Sequence, residues 1–306
     1  MWPAPLKIGD TIALVSPSHV AVREEYQKLI AGMEAKGFRV KEAPNLYKHA
    51  YGYSASEEER AEDFNRMVAD EEVKMIFFGG GYGENEILPL IDFEAVKKHP
   101  KIYMSYSDGT TILDAIYART GLVTYYGQSP GEFSEVTPYT WQNFESRIVK
   151  GESGVFVPNS QWHWLREGRC EGTLIGGYLL NIAMLLGGEY FPVDRSKRYI
   201  LFLEDHEAFN NVASVSMFLA HISQSGFMEN VGALLFGCYS DEHLSEELLE
   251  MLEMLGRFGD RWGIPVAYCN DYGHGINHAI LPIGGKAVFD SESRSLRFLD
   301  GAGVSE

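Results

Sequence analysis

Three residues far apart in the sequence carry the side chains that nucleophilic catalysis needs. Ser107 follows a short apolar run, Glu204 ends another, and His274 stands between two glycines. A serine hydroxyl becomes a nucleophile when a histidine takes its proton and a carboxylate orients that histidine. The three residues could therefore form a Ser-His-Glu triad, provided that the fold brings them together.

Ser107 and Glu204 also have ordinary structural interpretations. Ser107 precedes a predicted helix over 110–119, and a serine at that place commonly caps the helix. Its surroundings lack the G-x-S-x-G motif of α/β-hydrolases. The same turn would direct the Asp108 N–H toward an oxyanion, so that the cap and the nucleophile interpretations overlap. Glu204 could equally be a solvated strand end.

A glycine-rich loop, Gly79-Gly80-Gly81-Tyr82-Gly83, follows a buried strand. Glycines permit the backbone conformations that present several N–H groups to one anion. No Lys-Ser or Lys-Thr follows as in a Walker loop, and the G-x-G-x-x-G spacing is not met cleanly. Three interpretations stay open: a tight packing turn, a small-anion site in a non-catalytic binding module, or part of a catalytic site.

A metal site is a weaker hypothesis. Glu204, Asp205 and Asp271, with His206 and His278, offer possible ligands. However, they show no H-E-x-x-H motif or comparably tight spacing. We therefore predict neither a metal nor a cofactor. The alternative, a metal-dependent hydrolase, predicts that a chelator abolishes activity.

The elements that must position these residues alternate between strand and helix through the first half of the chain. We predict strands at 11–15, 38–41, 73–78, 102–104 and 122–126, with helices over 57–70 and 110–119. Ser56 and Glu59 form a capping-box signature before the first of these helices. Such alternation predicts an α/β fold with a parallel sheet covered on both faces, in a flavodoxin-like or Rossmann-like domain.

The periodicity fades between about 151 and 171, where we place a domain boundary. The expected organisation is an amino-terminal domain over 1–155, a linker over 156–170, and a smaller β/α domain over 171–306. In the second domain we predict helices over 179–186, 212–222 and 242–257, strands at 199–203 and 231–236, and short strands near Val266 and Ala287. Glu204 and His274 then belong to the second domain and Ser107 to the first.

Composition excludes several classes of partner. The formal charge of −17 argues against nucleic acid and anionic membranes, which attract basic surfaces. Three widely spaced cysteines, Cys170, Cys238 and Cys269, fit neither a disulfide framework nor a zinc ribbon. The first residues lack a signal-peptide pattern, and no apolar run approaches the roughly 18 residues of a membrane span. We expect a cytoplasmic protein.

Several of these motifs, in this order, resemble the LD-carboxypeptidase family of serine peptidases. They are the glycine loop, Tyr106-Ser107-Asp108, the segment 172–179, Leu203-Glu204-Asp205, and Gly273-His274-Gly275 followed by 281–284. The family includes muramoyltetrapeptide carboxypeptidases, which remove the terminal D-alanine from murein peptides. It also includes microcin C immunity hydrolases, which cleave acyl-sulfamoyl or phosphoramidate adenylates. The resemblance implies a homodimer acting on a small peptide or an aminoacyl-nucleotide.

The resemblance also implies roles for particular residues. Ser107 would be the nucleophile, His274 the general base and Glu204 its orienting partner. The oxyanion hole would come from the backbone N–H of Asp108 and of the glycine loop, at Gly80 or Gly81. Together these roles imply hydrolysis of an amide next to a terminal carboxylate.

Two departures from the family pattern bear on the substrate. Gly79 stands where murein-type members commonly carry arginine, a natural partner for a carboxylate, and Tyr178 stands where asparagine is often seen. Trp162 and Trp164 fall near the place of an aromatic platform for a nucleobase in the microcin-immunity branch, although they could simply pack the linker on a domain. With Tyr82, these aromatic residues are the expected substrate-binding residues.

Overall fold

The first sheet is formed mainly by the first half of the chain. The computed structural model describes residues 1–50, 54–242 and 245–303. Five parallel strands lie in the order β2-β1-β3-β4-β5. They are β1 (Thr11–Val15), β2 (Arg39–Glu42), β3 (Val73–Phe78), β4 (Ile102–Ser105) and β5 (Thr124–Tyr126). The predicted parallel sheet is confirmed.

Helices cover both faces of this sheet, as the alternating pattern predicts. They are α1 (Arg23–Ala35), α2 (Glu57–Ala69), α3 (Glu84–Ile87), α4 (Phe93–Lys98), α5 (Thr110–Thr120) and α6 (Pro138–Phe144). The capping box at the start of α2 is present, with Ser56 and Glu59 bonding to each other's backbone. The short helices α3, α4 and α6 are too brief to show a periodic pattern, and the sequence analysis missed them.

The second half builds a mixed eight-stranded sheet. Its strands lie in the order β6-β14-β13-β8-β9-β10-β11-β7, and the four from β8 to β11 are parallel. They are β6 (Gly154–Val155), β7 (His163–Arg166), β8 (Arg169–Tyr178), β9 (Tyr199–Glu204), β10 (Val231–Cys238), β11 (Val266–Gly273), β13 (Lys286–Asp290) and β14 (Ser295–Phe298). Because β9 and β11 end at Glu204 and Gly273, this edge of the sheet carries Glu204 and His274.

Three helices accompany the second sheet: α7 (Leu179–Leu185), α8 (Val212–Gln224) and α9 (Glu246–Trp262). The predicted start of α9 at 242 is wrong, because the Ser245 side chain accepts from the Leu248 N–H and caps the helix there. Its end lies beyond the predicted 257, since Gly263 adopts a left-handed φ of 65° only after Trp262. Residues 243 and 244 of the predicted helix lie outside the described residues.

The two halves share a strand and a core. The strand β12 (Leu281–Ile283) comes from the second half but pairs antiparallel with β5 of the first sheet. The strand β6 lies at the end of the predicted first domain and β7 lies within the predicted linker, yet both pair in the second sheet. One cluster of buried apolar side chains reaches from β1 to β14. The division into 1–155 and 171–306 stays a prediction.

Within the three described ranges, no helix is both long enough and apolar enough to cross a membrane.

Candidate active site

Ser107 lies on a sharp turn between β4 and α5. A single 3₁₀ turn over Ser107–Gly109 joins them, and the φ of Ser107 is 55°, a left-handed conformation that costs a non-glycine residue about 1–3 kcal/mol. The Ser107 Oγ lies 2.9 Å from Nε2 of His274. Among the described residues, no side chain caps either the 3₁₀ turn or α5. The interpretation of Ser107 as a helix cap is wrong, because the left-handed turn directs its hydroxyl to the imidazole instead.

His274 follows β11 directly and is packed from both sides. A Cβ at Gly273, where φ is 104°, would lie 2.8 Å from Glu204 Oε2. A Cβ at Gly275 would lie 2.4 Å from the Cys238 Sγ. Gly273 therefore lets the backbone approach the end of β9 closely enough for His274 to reach its carboxylate, and Gly275 lets it approach the end of β10. Three aromatic rings surround the imidazole, with centroids at 5.0, 5.1 and 4.9 Å: Tyr106, Tyr178 and Phe209.

Glu204 is fully buried at the end of β9, and hydrogen bonds reach both of its carboxylate oxygens. Oε2 lies 2.8 Å from His274 Nδ1 and accepts from the His274 backbone N–H at 3.3 Å. Oε1 accepts from the Tyr126 hydroxyl at 2.6 Å. Because an ionised carboxylate only accepts, we assign the proton of the neutral ring to Nδ1. Nε2 is then free to accept from Ser107.

The pKa of His274 lies above the usual histidine value of 6.5. Burial by itself lowers this pKa, since it penalises the charged imidazolium. The negative charge and hydrogen bond of Glu204 act in the opposite direction and outweigh burial. The imidazole is therefore a stronger base than an ordinary histidine.

The glycine loop passes directly over Ser107. A Cβ on Gly80 would lie 2.6 Å from the Ser107 Cβ, so only glycine lets the backbone come this close. The N–H of Ser107 itself donates to the Tyr126 hydroxyl at 3.1 Å. The oxyanion donors expected here, the backbone N–H groups of Gly80, Gly81 and Asp108, stay predictions.

The Asp108 side chain ties the glycine loop to the Ser107 turn. Its Oδ2 accepts from the backbone N–H of Glu84 at 3.0 Å, and its Oδ1 accepts from the Asn181 side-chain amide at 2.6 Å. Asn181 also donates to the Thr111 hydroxyl at 2.8 Å. Asn181 is not among the residues predicted from the sequence. Its position in the first turn of a helix that follows a strand was the one available signal.

A cavity of about 310 Å³ opens in front of Ser107 and His274. Two carboxylates line it, those of Glu25 and Glu132, and Glu132 also accepts from the Tyr106 hydroxyl at 2.8 Å. None of the lining residues in the described part of the chain is lysine or arginine. The cavity therefore favours a ligand group with positive charge over an anion.

The space beside Gly79 is filled by His19. A Cβ at Gly79 would lie 2.1 Å from the His19 Cε1, so any side chain there requires the imidazole to move. Burial lowers the pKa of His19 to about 4, which makes the ring neutral at pH 7. Its Nε2 lies 3.4 Å from the Tyr26 hydroxyl. The imidazole thus takes up the space next to position 79 without supplying the positive charge of an arginine.

Two of the four aromatic residues expected to bind substrate line the cavity. Tyr82 projects from the glycine loop and is 74% exposed. Tyr178 ends β8, where it pairs in register with Glu204, and its hydroxyl accepts from the Asn210 side-chain amide at 3.3 Å. A substrate contact by these two residues stays a prediction.

The other two, Trp162 and Trp164, lie elsewhere. Their ring centroids are 5.6 Å apart, and Trp164 packs on Phe289 of the second sheet at 4.9 Å. Trp162 Nε1 donates to the Asp271 carboxylate at 2.7 Å. Neither belongs to the cavity lining in the part of the chain that the structure describes. Their contacts correspond to the packing alternative, in which the tryptophans fix the segment around β7 on the second half.

One group of side chains has the spacing of a metal site, with ligand atoms of His206, Cys238 and Asp241 all within 4.8 Å of one another. His206 Nδ1 accepts from the Ala208 N–H at 3.2 Å, so the neutral ring carries its proton on Nε2, which lies 3.7 Å from Asp241. Burial raises the pKa of the Cys238 thiol, which keeps its proton. A cation here would have to displace the protons of the thiol and of Nε2, and we propose no metal there.

Two family models match consecutive parts of the chain. The LD-carboxypeptidase N-terminal domain matches residues 12–127, and the LD-carboxypeptidase C-terminal domain matches residues 171–289. These matches cover both the turn of Ser107 and the strand ends that carry Glu204 and His274.

Similar proteins include both branches named above. A Bacillus subtilis protein named as a probable murein peptide carboxypeptidase is 28% identical, covering 99% of this chain and 95% of its own. The microcin C7 self-immunity protein MccF of Escherichia coli is 27% identical, covering 96% and 94%.

Solved structures also include proteins of both branches. MccF in complex with aspartyl sulfamoyl adenosine has a TM-score of 0.85 at 26% identity, covering 100% of each chain. A muramoyltetrapeptide carboxypeptidase from Oxalobacter formigenes has a TM-score of 0.79 at 25% identity, covering 94% of this chain and 98% of its own.

Proposed function

The chain belongs to the LD-carboxypeptidase family, and on that premise we propose that it is a serine-type hydrolase with Ser107, His274 and Glu204 as its triad. One observation carries the proposal, the unbroken line of hydrogen bonds from Ser107 Oγ through both His274 nitrogens to Glu204. Three residue types with these roles, joined in this order, are what acyl transfer through a serine requires.

The reaction follows from these contacts. His274 Nε2 takes the Ser107 proton as the hydroxyl attacks the substrate carbonyl, and returns a proton to the leaving group. The buried Glu204 holds the ring with Nδ1–H toward itself and stabilises the imidazolium that forms. The backbone N–H groups of Gly80, Gly81 and Asp108 receive the negative charge on the carbonyl oxygen. Loss of one such donor costs on the order of 3 kcal/mol in comparable enzymes.

We propose an amide next to a terminal carboxylate as the leading substrate, as in a murein peptide. The names of the relatives support this assignment at the level of the family. No cationic side chain of the described cavity lining is available for the carboxylate, so backbone N–H groups other than the proposed oxyanion donors at Gly80, Gly81 and Asp108 would bind it. Glu25 and Glu132 would then face an amino group of the same peptide.

The second candidate is hydrolysis of an aminoacyl-nucleotide antibiotic, as the name of MccF indicates for that protein. The neutral His19 beside Gly79 favours it, because the described cavity lining contains no arginine like that of murein-type members. A free aminoacyl ammonium group would match Glu25 and Glu132. The same two carboxylates argue against the non-catalytic small-anion module, since they repel an anion.

Labelling by a fluorophosphonate probe tests the triad without a known substrate. We expect the wild-type protein to be labelled and Ser107→Ala and His274→Ala to be unlabelled. Ser105→Ala is the matched control, because Ser105 is a buried serine at the end of β4, the strand that leads into the Ser107 turn. Labelling of a folded Ser107→Ala variant at the wild-type rate would refute the triad.

A comparison of two substrates separates the two candidates. The kcat/KM for a murein tetrapeptide should exceed that for an aspartyl sulfamoyl adenosine if the leading assignment holds, and the reverse ratio supports the second.

A cytoplasmic location fits the three buried free thiols, Cys170, Cys238 and Cys269. Both this location and the homodimer stay proposals, the latter checked by light scattering on the purified protein.

A further inference from the structure

We infer that Tyr126 is a positioning residue of this active site, with one hydroxyl that fixes both Glu204 and the Ser107 turn. The inference rests on the proposed serine hydrolase function. Tyr126 ends β5 and lies beside Ser105 in the register of β4. Glu204 ends β9 of the other sheet. A single side chain therefore links the nucleophile of one sheet to the acid of the other.

The Tyr126 hydroxyl uses its donor and an acceptor site at the same time. It donates to Glu204 Oε1 at 2.6 Å and accepts from the Ser107 backbone N–H at 3.1 Å. The bonds of His274 to Glu204 and to Ser107 Oγ complete a ring of four residues. Each residue of the ring holds two others, so that the three catalytic groups and Tyr126 are oriented together.

Burial makes the hydroxyl hard to replace. Tyr126 and Glu204 are both fully buried, so water has little access to Oε1 if the phenol is removed. Burial and the charge of Glu204 also raise the pKa of Tyr126 well above 10, and the phenol keeps the proton that it donates. The Ser107 N–H would lose its acceptor as well, at a residue whose φ of 55° depends on such contacts.

The donated hydrogen bond also sets how basic His274 is. A donor on Oε1 draws negative charge away from the carboxylate and so weakens its attraction for the imidazolium. Without this donor, the imidazolium form of His274 beside the Glu204 carboxylate gains stability relative to the neutral imidazole. The pH at which His274 becomes a free base should then rise.

The test measures the rate of fluorophosphonate labelling between pH 5 and 9 for three variants of the full chain. Tyr126→Phe removes the hydroxyl, and Tyr126→3-fluorotyrosine, introduced by amber suppression, makes the phenol a stronger donor with nearly the same shape. Tyr103→Phe is the control. Tyr103 is fully buried on β4 of the same sheet, and its hydroxyl has no hydrogen-bond partner among the described residues.

For Tyr126→Phe we expect the maximal rate to fall roughly 10- to 100-fold, as loss of one bond to a charged group implies. The acid limb of its pH profile should move up by roughly 0.5–1 unit, and that of the fluorotyrosine variant should move down. Tyr103→Phe should leave both unchanged. If Tyr126→Phe does not fold, the fluorotyrosine variant alone decides the direction of the shift.

The possible results separate this inference from the proposed function. A lower rate for Tyr126→Phe with an unshifted pH profile, or a profile that matches Tyr103→Phe, overturns the positioning role. An unshifted fluorotyrosine variant overturns it as well. Full labelling of folded Ser107→Ala would instead refute the triad itself, whatever Tyr126 does.

Discussion

The contact between Gly79 and His19 makes a sharp prediction about the stability of the glycine loop. Gly79 does not have a left-handed φ, so its backbone permits alanine. The obstacle is the imidazole, since the new methyl group would lie 2.1 Å from its Cε1 and 2.8 Å from its Nδ1. Gly79→Ala should therefore destabilise the protein only while His19 is present.

The magnitude follows from the overlap. A methyl group forced into a filled space costs about 1–3 kcal/mol in free energy of unfolding, because neighbours must leave their preferred positions. His19→Ala removes the ring and leaves room for that methyl group. The double variant should then be more stable than the sum of the two single effects predicts, by about 1–3 kcal/mol.

Urea unfolding at pH 7, where His19 is neutral, measures the free energy of unfolding of the two single variants and of the double variant relative to wild type. Gly32→Ala is the matched control, because a Cβ at this exposed position in α1 would meet nothing within 4 Å. It should stabilise the helix by up to about 1 kcal/mol and add to His19→Ala. Additivity within about 0.5 kcal/mol for the Gly79 and His19 pair would refute the reasoning.

Two further predictions concern buried carboxylates. Glu204→Gln should lower kcat by roughly 10⁴-fold, as loss of the orienting acid does in other triads. The acid limb of the kcat/KM profile should also move down from its wild-type position above pH 6.5, because the negative charge of Glu204 that raises the pKa of His274 is lost. An unshifted acid limb would contradict this. Asp114 is fully buried, and burial raises its pKa well above the usual value. The hydrogen bond from the Gly176 backbone only partly offsets this. As pH rises above about 3.8 the unfolded chain releases the Asp114 proton while the folded chain retains it, which costs wild-type stability. The stability of Asp114→Asn relative to wild type should therefore grow by up to about 1.4 kcal/mol per pH unit above that point, in urea unfolding from pH 4 to 8, and a constant difference would contradict the assignment.

Sequence patterns predict those elements in which apolar residues mark the buried positions. β3 spans the predicted 73–78, because five of its six side chains are buried and form an apolar run. β12 was missed, since its three residues have Pro282 at the centre and no alternation. It becomes a strand only through pairing with β5, a contact about 155 residues away in the sequence. Such long-range pairing leaves no local signal.

The residues of the candidate site likewise divide into those with a local sequence signal and those without one. Ser107, Glu204 and His274 could be singled out because each stands at a strand end beside glycine or a polar turn, where side chains of parallel sheets converge. Tyr126 also ends a strand, yet an apolar ring in the run 122–126 gives no sign of a polar role. Its role depends on the meeting of two sheets, which no spacing in the sequence records.

That meeting of the sheets places the proposed catalytic residues on both halves of the chain. Ser107 belongs to the first sheet, whereas Glu204 and His274 belong to the second, and the Tyr126 hydroxyl bonds to both. Only six residues separate His274 from β12, which pairs with β5, the strand that Tyr126 ends. A shift of one sheet relative to the other would therefore stretch the strand pairing and the Tyr126 bonds together. The same contacts that hold the halves in place thus set the distance between Ser107 and His274.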